Sequence, residues 1–293
     1  MKRWLTSQAV QQTVFIGPAL LVYAIVMVLP FLLGLYYSFS DWNGVSSRIG
    51  WVGLQNYQTI LTGDPDFGRS FWFTARFTVA VVLISNVLGF LIAYLLSKPL
   101  KTRNLLRTIF FMPNVLGGLL LGFIWQFIFT QSFASIGRIT GLGFFNLSWL
   151  GTEATAFWAL VIVSVWQGAG YLMVIYIAGL TNVPKDMLEA AAIDGATSLQ
   201  ALRHIVLPLI MPAVTVCLFL SISWAFKSFD LNFSLTQGGP YKSTESIAMN
   251  IYFEAFKNNR YGLGTAKAFV FFVVVTVITL IQVTITKKKE VEM

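Results

Sequence analysis

Charged residues are scarce in this chain: Asp, Glu, Lys and Arg make up 11% of its 293 residues, against about 25% in soluble globular domains. Hydrophobic residues make up 56% and the mean hydropathy is +0.72, so a water-soluble fold is excluded. Cysteine is reduced to Cys217, inside an apolar run, which rules out an internal disulfide. Histidine is reduced to His204, a solvated rim residue that cannot complete a Ser-His or metal-ligand constellation in the bilayer, so an intramembrane enzyme or a metal site is not expected. The pattern G-x-x-x-x-G-K-[ST], whose backbone amides would cradle phosphates, is absent, so the chain does not itself hydrolyse ATP. Paired acidic residues deep within the apolar runs are lacking, Asp230 at a run's edge being the nearest, which argues against an ion-coupled secondary transporter or channel. Repeats of helix-hairpin size and low-complexity linkers are also missing, leaving 1–293 as a single transmembrane domain.

What is present is long apolar runs. A bilayer core of roughly 30 Å takes about 20 apolar residues in a helix. Runs of that size extend from Thr13 to Tyr37, Phe71 to Ser97, Leu105 to Thr130, Thr155 to Leu180, Ile205 to Phe226 and Thr265 to Thr286. They predict an all-α polytopic membrane protein of six transmembrane helices, with kinks at Pro18, Pro30, Pro113 and Pro212. The stretch after Lys2 and Arg3 is too long for a signal-peptide core and reads as a retained first span. An even number of spans places both termini on one side. Lys2, Arg3, Lys98, Lys101, Arg103, Arg107, Lys185, Arg203 and Lys287 to Lys289 fall on that side, which the positive-inside bias makes the cytoplasm. The net charge of +8 sits at the ends of runs rather than on one face, so it marks topology and membrane-lipid contact, not nucleic-acid binding. The segment Trp51 to Tyr57 is too short for a domain and is expected to cap the bundle.

One polar island, residues 181–204, interrupts the cytoplasmic side. Pro184 suits a first helical turn with Asn182 as its cap. The helix should pass through Glu189, Ala190, Ala191 and Ala192 and stop at Asp194-Gly195, where glycine admits the left-handed conformation. A second helix should start near Thr197 or Ser198. Three alanines permit close approach by another protein, while Met187, Leu188 and Ile193 offer apolar contacts. A plain solvated connection is the alternative reading of such a segment.

Two further stretches suit a solute path. Trp166-Gln167-Gly168-Ala169-Gly170-Tyr171 lies mid-span, and Gln167 and Tyr171, four residues apart, share a face. An amide in hydrocarbon must find a partner, so Gln167 should face the interior. Ser221, Trp224 and Ser228 make a stripe of an aromatic plate flanked by hydroxyls, roughly 15 to 25 Å along the fifth run. Aromatic faces stack on the C–H faces of sugars. Helix packing for the first stretch and an interfacial aromatic belt for the second are the competing readings. Asn86 and Asn114 lie deep in their runs and are further candidates. Lys227 either meets an anionic solute or pairs with Asp230 three residues on, the self-neutralised pair being the favoured reading. Gly118 and Gly122 form G-x-x-x-G, read as intrachain packing.

E-A-A from Glu189, then a glycine at Gly195, then Ile205, Leu207 and Pro208 at a fixed interval, resembles the signature loop of permease subunits of binding-protein-dependent ATP-binding-cassette importers, most nearly the carbohydrate-uptake branch. The resemblance covers nearly the whole chain and implies the type I importer permease fold in a bacterial or archaeal plasma membrane. It implies that Glu189, Ala190, Ala191, Asp194, Gly195 and Ala196 dock an ATPase subunit, with Glu189 meeting a basic residue and Gly195 forming the corner. It also implies that Gln167, Gly168, Tyr171, Ser221, Trp224, Ala225 and Ser228 stand where oligosaccharide permeases contact sugar. Ala225 and Ser228 replace asparagines of maltose-type relatives, implying a different sugar or a looser grip. Residues 227–264, with Gly238-Gly239-Pro240, resemble an external gate loop. The implied partners are a second permease, two ATPases that bind ATP and magnesium, and an extracytoplasmic solute-binding protein. This chain, holding no cofactor, would form half of a pathway for a sugar, an oligosaccharide in the first reading, with glycerol 3-phosphate or another polyol as the alternative.

Overall fold

The computed structural model describes residues 8–290, with side chains from Val14 onward, so Lys2 and Arg3 lie outside the described residues. Among the described residues the regular secondary structure is helical, apart from one isolated bridge between Ser40 and Trp51. Five helices are long and apolar enough to cross a membrane: Val14–Tyr37, Pro65–Leu96, Gly118–Thr140, Glu153–Thr181 and Tyr261–Lys287. Ser198–Leu209 and Met211–Phe226, bent by 70°, make a sixth crossing between the fourth and the last of these.

Local chemistry sets where the helices stop and bend. The fourth span starts at Thr152, whose hydroxyl accepts from the Thr155 amide at 3.2 Å. The third apolar run is not one helix. A short helix, Arg103–Phe111, passes into a 3-10 turn, Met112–Val115, and Leu116 and Gly117 are extended before Gly118 resumes the span. Pro113 opens that break, since it has no N–H to continue the helical ladder. In the fifth crossing Pro212 would drive its ring into the Pro208 carbonyl, and the helix bends at Ile210 instead. Pro30 and Pro208 are tolerated differently. A wide π turn lies over the carbonyl four residues earlier in each case, within Ala24–Val28 and Leu202–Val206.

The chain divides into two compact units, residues up to Asp64 with Ile251–Phe271, and Pro65–Asn250 with Phe272 onward. In the larger unit the second and fourth spans pack closely: a Cβ on Gly89 would lie 3.1 Å from the Ala169 carbonyl. One apolar cluster gathers around Phe73, Phe77, Leu160 and Leu235, and another around Leu96, Leu172, Ile210 and Cys217. Gly118 and Gly122 seat the short helix Asp230–Leu235. A Cβ on Gly122 would overlap the Ser234 hydroxyl, and one on Gly118 would lie 2.9 Å from Asp230 Cβ. The small-residue motif is intrachain packing, as expected.

In the smaller unit Tyr37, Trp42 and Tyr261 form a ring cluster, with centroids 4.3 and 5.0 Å apart along the series. Trp51 stacks on Phe39 at 5.5 Å. Lys267, not among the candidates from sequence, is fully buried and bonded to Asp64 at 2.6 Å and Glu254 at 2.5 Å. Glu254 also meets Arg260 at 2.7 Å. A lysine inside an apolar run was the available signal, because a charge there needs a partner.

Candidate functional site

Two places in the larger unit combine exposure, defined geometry and chemistry. The first is the polar loop after the fourth span. Its helix runs Lys185–Ile193 with Pro184 in the N-cap position, one residue before the first turn expected for it. Asn182 closes the fourth span instead of opening this helix. At the far end the Ala196 amide donates to the Ala191 carbonyl (2.9 Å) and the Gly195 amide to the Ala192 carbonyl (3.1 Å), with Gly195 at φ +78°. This pair of bonds around a left-handed residue is a Schellman stop, so the corner falls at Asp194-Gly195 as expected. Thr197 and Gln200 then cap the next helix reciprocally, the Thr197 amide donating to Gln200 Oε1 at 2.8 Å.

The loop helix is split in character. Val183 is buried and Leu188 packs against the same core cluster, so Leu188 serves this chain instead of the outward contact expected of it. Glu189, Ala190 and Ala192 are exposed, as are Met187, Leu199 and Ile193, the last by 86%. Glu189 makes no ion pair among the described residues. His204 donates from Nδ1 to the Gln200 carbonyl at 3.0 Å, beside a hollow of about 340 Å³ at the Gly195 corner.

The second place is a cavity of about 300 Å³ whose wall includes Gln167, Trp224, Ala225, Lys227, Ser228 and Asp230, together with Phe77, Ser164 and Phe229. Residues from two separated stretches of sequence therefore meet around one space. Gln167 donates to the Leu116 carbonyl at 2.9 Å, which satisfies a carbonyl freed by the break in the third run and fixes the amide at the wall. Gly168 lies behind Trp224: a Cβ there would overlap the six-membered ring of the indole. Ser228 donates to Asn232 Oδ1 at 2.7 Å, and Asn232 in turn donates to the Thr244 carbonyl at 3.2 Å.

The remaining candidates stand elsewhere. Ser221 is fully buried and does not join Trp224 and Ser228 in a stripe. The helix ends at Phe226, so three- and four-residue spacing no longer governs Ser228. Ser221 accepts from Asn86 Nδ2 at 2.9 Å, and Asn86 Oδ1 accepts from the Tyr176 hydroxyl at 2.8 Å, a network joining the second, fourth and fifth crossings. Asn114 is half-buried in the turn Met112–Val115, and Tyr171 is 37% exposed; neither lines the cavity. Lys227 and Asp230 both face the space and make no ion pair among the described residues, because the break after Phe226 removes the helical spacing that would have paired them. Ser164, Phe229 and Tyr176 were not singled out from sequence. Residues 227–250 include the Gly238-Gly239-Pro240 turn, with a cis Gly239-Pro240 bond and Gln237, Tyr241 and Lys242 at positive φ. A hydrogen bond from Lys242 to Asp66 (2.7 Å) pushes its pKa above the ordinary lysine value.

Residues 85–291, which hold the loop and the cavity's polar lining, match the family described as binding-protein-dependent transport system inner membrane component. The chain belongs to that family. This permease is 48% identical to the probable starch degradation products transport system permease protein AmyD of Thermoanaerobacterium thermosulfurigenes, over 95% of this chain and 94% of the relative. It is 33% identical to the multiple sugar-binding transport system permease protein MsmF of Streptococcus mutans, over 94% and 95%. The permease also superimposes on a chain of a bacterial ABC transporter involved in the import of the acidic polysaccharide alginate. The TM-score is 0.83 at 20% identity, covering 98% of this chain and 99% of that one, and this likeness bears on the fold.

Proposed function

We propose that this permease forms half of the membrane pathway of an ATP-driven, binding-protein-dependent importer of an oligosaccharide. The observation that carries the reading is the cavity wall, where the indole of Trp224, seated on Gly168, stands among Gln167, Lys227, Ser228 and Asp230. A flat ring suits the C–H face of a pyranose, and the amide, hydroxyl and charged groups suit its hydroxyls. Relatives named for starch degradation products and multiple sugars support the substrate class.

The energy source in this reading is a separate ATPase, which binds ATP and magnesium and receives the exposed helix Lys185–Ile193 in a groove. Glu189 gives that contact its charge, and Met187 and Ile193 its apolar area. A second, related permease completes the pathway, two ATPase copies drive it, and an extracytoplasmic binding protein delivers the solute. The docking loop and both termini then face the cytoplasm of a bacterial or archaeal cell, in agreement with the basic residues at that end.

Lys227 favours a second reading, import of an anionic solute such as glycerol 3-phosphate or an acidic sugar, since among the described residues no carboxylate lies within ion-pair distance of it. Competition of labelled neutral di- and trisaccharides, uronates and glycerol 3-phosphate for uptake, in cells carrying the complete system, separates the two. Neutral oligosaccharides should compete; competition by the anions alone replaces the first reading with the second.

A further inference from the structure

The helix Arg103–Phe111 is not absorbed by either site, and it joins two features that point to one ligand. The first is charge. Lys98, Lys101, Arg103 and Arg107 fall within ten residues, and no acidic residue occurs in the sequence between Asp66 and Glu153. None of the four makes an ion pair among the described residues. Arg107 donates from Nη2 to the Leu96 carbonyl at 3.3 Å, which ties it to the last turn of the second span. Its Nε is buried with no hydrogen-bond partner among the described residues. A buried guanidinium N–H left open is uncommon and invites an acceptor. Arg103 stands one turn earlier on the same face.

The second feature is an apolar groove of about 500 Å³ between this helix and the second and fourth spans, lined by Ile84, Leu88, Ile92, Ile109, Phe110 and Trp166. Ile92 precedes Leu96 by one helical turn, about 6 Å, and Ile109 and Phe110 follow Arg107 directly. Arg107 therefore sits about one turn below the end of a groove whose long walls are almost entirely apolar, with Arg103 one turn further on. An anion at the arginines and a chain in the groove belong to a single amphiphile.

We propose that this corner is a binding site for an anionic phospholipid, its phosphate on Arg103 and Arg107 and an acyl chain along Ile92, Leu88 and Ile84. A soluble phosphate would use the arginines and leave the groove empty. A protein helix would use the groove and leave the four cations without counter-charge. The lipid satisfies both and fits the attraction of clustered basic residues to anionic headgroups.

The test uses the complete transporter purified in mild detergent, with retained lipid identified by native mass spectrometry. The natural protein should keep phosphatidylglycerol or cardiolipin in preference to phosphatidylcholine. Arg103→Gln with Arg107→Gln should lower that retention by roughly ten-fold or more. Leu88→Trp, which fills the groove, should lower it too while the subunits stay together on size exclusion. A readout on the natural sequence avoids any folding defect: in nanodiscs, phosphatidylglycerol with brominated acyl chains should quench tryptophan fluorescence more than brominated phosphatidylcholine, and replacing the two groove tryptophans, Trp158→Phe with Trp166→Phe, should remove the difference. Equal retention and equal quenching of the two lipids overturn the proposal, as does phosphate or glycerol phosphate competing the lipid away at no cost to groove-filling variants. Loss of the second permease from Leu88→Trp with lipid retention unchanged makes the groove a subunit interface instead.

Discussion

The indole of Trp224 lies against the α-carbon of Gly168, so close that no side chain fits between the fourth and fifth crossings at that level. The glycine thereby sets the depth of the ring at the cavity wall. Gly168→Val should push the ring into the cavity and raise the half-saturation concentration for uptake by about ten-fold, or ~1.4 kcal/mol. Assembly should be unaffected. Initial rates of labelled oligosaccharide uptake against concentration provide the check, and an unchanged value would remove Trp224 from the solute path.

Trp224 itself separates stacking from hydrogen bonding. Its Nε1 is buried and has no partner among the described residues, so the ring face is its useful part. Trp224→Phe should retain most uptake and Trp224→Ala should lose it. Equal loss in both would assign the role to the indole nitrogen.

The Schellman stop predicts how the docking loop fails. Gly195→Ala places a Cβ on a residue at φ +78° and should cost about 1 kcal/mol or more of loop-helix stability. Combined with Glu189→Ala it should reduce copurification of the ATPase and abolish accumulation of solute. If both survive the double substitution, the loop is a connection and nothing more.

Asn86 bridges Tyr176 and Ser221 in the centre of the larger unit. Asn86→Ala removes the bonds to Tyr176 and Ser221 together, a penalty of about 1 to 3 kcal/mol, whereas Tyr176→Phe costs Asn86 Oδ1 its donor and keeps the Ser221 bond. The alanine variant should therefore unfold at the lower temperature in detergent. The reverse order would mean that the network does not hold the three crossings together.

Lys267 bridges Asp64 and Glu254, with Arg260 as the second cation on Glu254. Lys267→Met takes the buried cation from Asp64 and leaves Glu254 with Arg260 alone, and should destabilise by about 3 to 5 kcal/mol. Asp64→Asn, which keeps the Glu254 bond, should cost less. Protease resistance of the two variants in membranes distinguishes them.

The six crossings, the helix-glycine-helix course of residues 185–201 and the intrachain use of Gly118 and Gly122 were legible from sequence. Each follows from a short-range rule: span length, a left-handed glycine, small residues four apart. The candidate site was legible only in part. Gln167, Trp224 and Ser228, candidates from two separate runs, line one cavity, whereas Ser221 is buried in the bundle and Tyr171 does not line the cavity. Periodicity gives the face of one helix, and it cannot say which neighbour that face meets.

By itself the sequence determined that the chain crosses a membrane, where it crosses, and where a polar elbow interrupts it, because hydrocarbon demands long apolar helices with their backbone bonds satisfied internally. Tertiary structure alone decided which polar groups face a shared space and which bond to one another. Lys227 and Asp230 stayed apart because the helix broke at Phe226, and Lys267 found carboxylates from distant segments. Those outcomes depend on where helix ends come to rest against neighbours far along the chain.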